Sequence, residues 1–290
     1  MEHDMLDTTK NIYREKADLS EIGDISVSLP MWQRISQMTW LRKTLILIVM
    51  ILGWEFYARH LNDALLFPTF TATAKTWFSL LLDGTLADKT WTSLKVLGMG
   101  YGLGILLATV LAVAATLTKI GQDILETLTA MFSPLPAIAL LPLALIWFGM
   151  GNGSLVFVIV HSVLWPVALS MLSGFKAVAP TLRKVGRNYG LTSFGYARHI
   201  LFPAALNSIL TGFKIGWSYA WRTLVAAELI FGAASGSGGL GFFISESKNN
   251  LLIPEVFAGL LSVIIIGLLV EAVVFRIIEN KTVKKWGMQS

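Results

Sequence analysis

Predominantly apolar runs alternate with short polar ones along most of the chain. They fall at about 41–61, 91–117, 121–148, 154–173, 204–233 and 254–278. Each reaches the ~20 residues that a helix needs to cross a hydrocarbon layer, so the pattern predicts an all-α membrane protein with six transmembrane helices. The third run carries Pro134, Pro136 and Pro142. Proline removes a backbone donor and kinks a helix, and in lipid the freed groups need neighbouring helices or a cavity. That predicts a place inside the bundle for this span.

The segments outside the runs complete the plan. The first run begins only near Thr44, after mixed polar residues, which argues against a cleavable leader. Residues 1–30 are expected to be a mobile cytoplasmic segment, since 1–28 carries seven acids and three bases with little periodicity. In 31–43, Met31, Ile35 and Met38, with Trp32 nearby, are spaced for one apolar stripe. Either an amphipathic helix on the cytoplasmic surface or an ordinary start to the first span fits them. Residues 70–82, with Trp77 and Phe78, read as a short interfacial helix outside the membrane. The expected layout is then a single six-helix transmembrane domain over 44–280, a cytoplasmic loop at 174–203 and a cytoplasmic tail at 281–290. No soluble domain, repeat or heptad run is present.

Composition agrees with the pattern. Of 290 residues, 54% are hydrophobic and 14% charged, against about 25% charged in a soluble domain, and the mean hydropathy is +0.66. A soluble enzyme is excluded. Cysteine is absent, which removes disulfides, thiolate metal sites and thiol nucleophiles. The net charge of +5 is spread between apolar runs rather than gathered on a face with stacking aromatics, so no nucleic-acid partner is expected. The charges mark topology instead. Residues 174–203 hold five bases (Lys176, Arg183, Lys184, Arg187, Arg198) and no acid, which places this loop in the cytoplasm by the positive-inside rule. Arg34, Arg42 and Lys43 before the first span, and Arg276, Lys281, Lys284 and Lys285 at the end of the last, place both termini there too. The glycine turn at 149–153 and the Gly/Ser-rich 232–241 then fall outside.

Several chemistries are missing. There is no Gly-x-x-x-x-Gly-Lys-[Ser/Thr] loop, so any ATP use must come from a partner. His3, His60, His161 and His199 lack metal-binding spacing, and no metal, cofactor or catalytic residue is expected on this chain. Gly232-Ala-Ala-Ser235-Gly236 loosely resembles the serine motif of rhomboid intramembrane proteases. No histidine follows Ser235 to activate it, and a glycine-rich helix end is the better reading.

The acid-free loop reads Thr181-Leu-Arg-Lys-Val-Gly-Arg-Asn-Tyr-Gly190, then nine residues, then Ile200-Leu-Phe-Pro203. The pattern predicts one short helix from about 180 to 189, ended by Gly190, and a second over 193–202 that stops before Pro203. Together they would make a compact basic knob; a charged loop that only sets topology is the alternative. The glycine, the gap and the Ile-x-x-Pro ending resemble the EAA loop of the membrane subunits of binding-protein-dependent ABC importers, which seats in a groove of the ATPase. Lys184-Val185-Gly186 stands where that loop has Glu-Ala-Ala, and Phe202 where it has Leu.

Four further segments resemble the nitrate, sulfonate, taurine and bicarbonate branch of these permeases. They are Pro134-Leu-Pro136 through Trp147-Phe148-Gly149, Trp221-Arg222-Thr223 through Glu228, Gly239-Leu-Gly241-Phe, and Thr282-Val-Lys-Lys-Trp286-Gly-Met. The resemblance runs from about residue 40 to the end. It implies the ABC importer type I permease fold and a multi-pass, non-catalytic subunit of the bacterial inner membrane. The implied partners are a second copy of the chain, two ABC ATPase subunits that use ATP and magnesium, an extracytoplasmic substrate-binding protein and membrane lipid. Alternating access would be driven through Lys184, Val185, Gly186, Gly190, Ile200 and Pro203.

Arg222 lies mid-span, where a charge costs roughly 2.5–3.5 kcal/mol. It either faces a wet pathway and attracts an anion such as a sulfonate, nitrate or carboxylate, or pairs structurally, for instance with Glu228. Six residues put those two about 120° apart on one helix, which favours pairing across a dimer over pairing along the helix. Trp217 and Trp221 share a face and, with Thr223 beside Arg222 and with Glu228, are pathway candidates; packing against neighbouring helices is the alternative for the tryptophans. His161 is a further pathway candidate, as a polar contact or a proton-sensitive gate, with a hydrogen-bonded core histidine as the alternative. Lys214 either favours anions or snorkels to the cytoplasmic interface. Glu55 with Arg59 and Glu271 with Arg276 are expected structural pairs, and 232–241 a hinge or a passive loop. A neutral or cationic vitamin precursor as cargo, and a secondary transporter, are the rival readings.

Overall fold

In the computed structural model, which describes residues 38–191, 193–231 and 238–282, every regular element is helical. The mobile segment expected at 1–30 lies outside the described residues. So do Met31, Trp32 and Ile35 of the interfacial stripe, most of the 232–241 stretch with Ser235, and the tail from 283. In chain order the helices are α1 (Thr39–Leu61), α2 (Phe70–Leu82), α3 (Thr85–Ala115), α4 (Lys119–Phe132), α5 (Leu141–Phe148), α6 (Asn152–Lys176), α7 (Pro180–Asn188), α8 (Ser193–Tyr196), α9 (Phe202–Ala204), α10 (Leu206–Phe231), α11 (Leu240–Asn249), α12 (Ile253–Leu269) and α13 (Arg276–Lys281). A 3-10 turn (Ala137–Leu140) leads into α5, and π turns (Ala197–Leu201 and Val270–Phe275) join α8 to α9 and α12 to α13.

The chain divides into two units between Gly53 and Trp54, inside α1. In the first, residues 39–43 run directly into the rest of α1. Six consecutive apolar residues from Leu45 to Met50 are each more than half exposed, so every side of this stretch is apolar, as in a helix surrounded by lipid. With 23 residues, α1 is about 35 Å long, enough for a ~30 Å hydrocarbon core.

In the second unit Trp54 anchors the end of α1, donating from Nε1 to the Pro68 carbonyl at 2.9 Å beside the rings of Phe67, Phe70 and Phe257. Glu55 pairs with Arg59 at 2.7 Å, as its spacing predicts, and also accepts the Thr71 N–H at 3.0 Å. The expected short helix at 70–82 is α2. It begins at a Thr69 cap and packs against α12, with Trp77 Nε1 donating to Ser262 Oγ at 2.9 Å.

The core is the three-way contact of α3, α6 and α10. Small residues let these helices approach closely, as at Gly-x-x-x-Gly interfaces. A Cβ on Gly100 would stand 2.7 Å from Ile159, one on Gly104 2.8 Å from Val163, and one on Gly216 2.7 Å from Val167.

By length and composition α1, α3, α6 and the continuous Ile253–Lys281 can cross a membrane. Two bent pairs, Lys119–Phe132 with Ala137–Phe148 at 85° and Ala197–Ala204 with Leu206–Ile230 at 68°, bring the number to six if each is one span. The sequence pattern differs from this in four places. Pro134 and Pro136 break the third run, but Pro142 does not, because it sits in the first turn of α5, where no intrahelical N–H is required. The helix expected to stop before Pro203 runs through it: a π turn over Ala197–Leu201 precedes Phe202, which opens α9, Pro203 sits in that first turn, and the chain turns only after Ala204. Helix α3 starts at Thr85 rather than 91, with a polar first turn containing Asp88 that an apolar run does not reveal. Helix α11 was not expected at all; it is short and buries Leu240, Phe243 and Ile244.

Candidate functional site

The proline break after α4 opens a cavity of about 310 Å³ between the 132–138 segment and the middles of α6 and α10. That is at the lower end of the ~300–1,000 Å³ typical of small-molecule sites. Pro134 and Pro136 cannot supply the N–H groups that would continue the helix, and Pro136 itself is extended at ψ 119, so the chain leaves helical geometry after Ser133 and swings through 85°. Pro166, inside α6, also lines the space and has no N–H for the Ser162 carbonyl one turn earlier.

Three expected pathway residues line this cavity: His161, Arg222 and Thr223. Arg222 is exposed, stacks its guanidinium 4.9 Å from the Tyr219 ring centroid and donates from Nε to the Ser218 carbonyl at 3.0 Å. Among the described residues it forms no ion pair. Neither ring nitrogen of His161 has a hydrogen-bond partner, nor does Trp165 Nε1.

Trp217, Trp221 and Glu228 are elsewhere. The two tryptophans stack on each other at 6.3 Å, Trp217 meets Tyr101 edge-on at 5.7 Å, and Trp221 Nε1 donates to the Val263 carbonyl at 3.2 Å. They join α3, α10 and α12 rather than walling the cavity. The Glu228 carboxylate is buried at 1% exposure and does not meet Arg222. It accepts the Ser93 hydroxyl at 2.8 Å and the Gly241 N–H at 2.9 Å, while Ser93 Oγ accepts the Leu240 N–H at 2.9 Å. A Cβ on Gly239 would collide with the Glu228 carboxylate and Ser93 Oγ, so this node holds the start of α11 closely against α3 and α10.

The other charged expectations divide. Lys214 pairs with Glu279 of α13. Glu271 and Arg276 form no pair among the described residues: five residues apart, they miss the three- and four-residue spacing at which side chains meet on a helix.

The second candidate feature is the knob. Helix α7 ends as the sequence predicts: Gly190 takes the left-handed conformation at φ +62, and the Leu191 N–H turns back to the Gly186 carbonyl at 3.1 Å. Gly186 is buried, and a Cβ there would stand 2.6 Å from Ile200 Cδ1 and 2.8 Å from Tyr196 Cδ2, so two of the expected coupling positions touch. Lys184 and Val185 are exposed. Leu182, Val185 and Tyr189, three and four residues apart, share a face and are 43%, 45% and 81% exposed. At the root of the knob, Lys176 pairs with Glu126.

Sequence reasoning missed Phe132, Ser162, Trp165 and Tyr219 of the cavity, and Ser93 of the Glu228 node. Tyr219 lies one turn before Thr223, and Trp165 one turn after His161; that helical spacing was the available signal. Ser93 had none, being 135 residues from its partner.

Comparison with known proteins matches residues 100–282 to the family described as binding-protein-dependent transport system inner membrane component. A taurine transport system permease protein of Escherichia coli K12 is 33% identical over 190 residues, 66% of this chain and 68% of that one. A nitrate import permease protein of Synechocystis is 32% identical over 189 residues, 65% and 67% of the two chains. A putative aliphatic sulfonates transport permease protein of Bacillus subtilis is 27% identical over 246 residues, 84% and 87%.

Proposed function

The chain belongs to the family of binding-protein-dependent transport system inner membrane components, and from that premise we propose that it lines the pathway of an ATP-driven importer for a small anion. Two copies would form the pathway, each crossing six times with both termini cytoplasmic, the bent pairs counting as spans. Two separate ATPase chains would bind and hydrolyse ATP with magnesium below, and an extracytoplasmic binding protein would deliver a sulfonate such as taurine, a nitrate or an organic carboxylate. The chain itself performs no catalysis. Closure of the ATPases moves the 180–203 knobs and switches the bundle between inward- and outward-facing states. Hydrolysis resets it. The anion preference is supported by the named cargoes of its relatives and by Arg222, which lines a cavity without an acidic partner among the described residues.

The observation that carries the reading is the knob surface. Leu182, Val185 and Tyr189 turn apolar side chains outward on a short helix held by the Gly186–Ile200 contact, in a loop without acids. Such a surface suits a groove on a partner. Gly190→Asp, which strains a left-handed residue and adds an acid, and Pro203→Asp are each expected to reduce co-purification of the ATPase by about tenfold or more, equivalent to ~1.4 kcal/mol, with the permease still inserted. Undiminished co-purification with both variants contradicts the docking role.

A further inference from the structure

The described residues contain five buried side-chain nitrogen or oxygen atoms without a hydrogen-bond partner, and three of them sit together: Nδ1 and Nε2 of His161 and Nε1 of Trp165. A buried polar atom without a partner is costly, and native folds keep few. His161 and Trp165 are one turn apart on α6, with ring centroids 6.2 Å apart. Both line the cavity that Arg222 lines from α10. Phe132, the last residue of α4, lies flat on Trp165 at 5.1 Å and 14° and edge-on to His161 at 6.4 Å. It immediately precedes the Pro134–Pro136 break, where the two prolines have no N–H to continue the helix.

We propose that His161, Trp165 and Arg222 form a binding site for an organic anion with a flat aromatic body, and that Phe132 occupies the place of that body when the site is empty. The proposal rests on the permease reading and narrows its cargo. A sulfonate or carboxylate head takes the N–H of Trp165, one N–H of His161 in either tautomer, and the fork of Arg222, whose terminal nitrogens are uncommitted among the described residues. The ring of the ligand displaces Phe132 and stacks on Trp165. The remaining wall, with Pro134, Pro136, Ile138 and Tyr219, offers apolar surface that an inorganic anion does not use.

The test uses the full-length permease purified with its ATPase in lipid nanodiscs, titrated with radiolabelled benzenesulfonate, methanesulfonate and nitrate. Benzenesulfonate is expected to bind about tenfold or more tightly than the other two. His161→Phe keeps a ring and removes both nitrogens; it should weaken benzenesulfonate about tenfold while leaving the thermal midpoint unchanged or higher, because the unpaired atoms are gone. His161→Gln, which retains an N–H, should keep more of the affinity, and Phe132→Ala should increase it.

Nitrate or methanesulfonate binding as tightly as benzenesulfonate overturns the ligand class. Wild-type affinity in His161→Phe, or a lowered midpoint in that variant, overturns the role of His161. A wild-type complex that binds none of the probes while its ATPase stays attached overturns the site and leaves the permease reading standing. Failure of the wild-type chain to hold the ATPase strikes that reading itself.

Discussion

Glu228 and Ser93 show how a single side chain can fix a segment far from it in sequence. Ser93 donates to the Glu228 carboxylate and accepts from Leu240, so one hydroxyl on α3 satisfies groups from two other helices. Ser93→Ala strands the Leu240 N–H and leaves the carboxylate with the Gly241 N–H alone, and a buried polar group left unmatched costs about 1–3 kcal/mol. A clear fall in the detergent-solubilised thermal midpoint is expected; an unchanged midpoint would show that the node contributes little. Glu228 attracted notice in the sequence as an acid six residues from Arg222, and its actual partners were invisible there because the pair spans 135 positions. Arg222 was legible for the opposite reason, since a charge mid-span stands out against any apolar run.

Among the elements, those set by local chemistry were readable. Helix α7 ends at Gly190 because glycine takes a positive φ readily, and the third run breaks because Pro134 and Pro136 stand in it. Proline says that a helix stops but not where the next one points, so the 85° swing and the cavity it opens depend on packing against α6 and α10. Helix α11 escaped notice because ten residues are too few to show a period beside a glycine-rich stretch. The close contact of α3 with α6 leads to a paired prediction on one helix. Gly104→Ala drives a methyl into Val163 and should cost about 1–3 kcal/mol by overpacking. Gly102→Ala, which meets nothing within 4 Å, should be neutral or stabilise by up to ~1 kcal/mol. Equal effects on the thermal midpoint would place the α3–α6 contact elsewhere.

For the whole molecule, the placement of the sparse charge predicts a sidedness. The absence of cysteine makes that testable with single introduced thiols at exposed positions. Lys184→Cys should react with a membrane-impermeant maleimide only in inside-out vesicles, and Met150→Cys, at a position 87% exposed, only in right-side-out ones. The reverse pattern would invert the topology. The family assignment and the knob then converge on one claim, that energy enters this chain from an ATPase beneath it. Uptake of a labelled organic sulfonate into proteoliposomes holding the permease, its ATPase and its binding protein, with ATP and magnesium supplied at the ATPase face, tests this most directly. Accumulation that needs ATP and stops when the ATPase is omitted is the expected result; equal accumulation by the permease alone, without ATP, would contradict it.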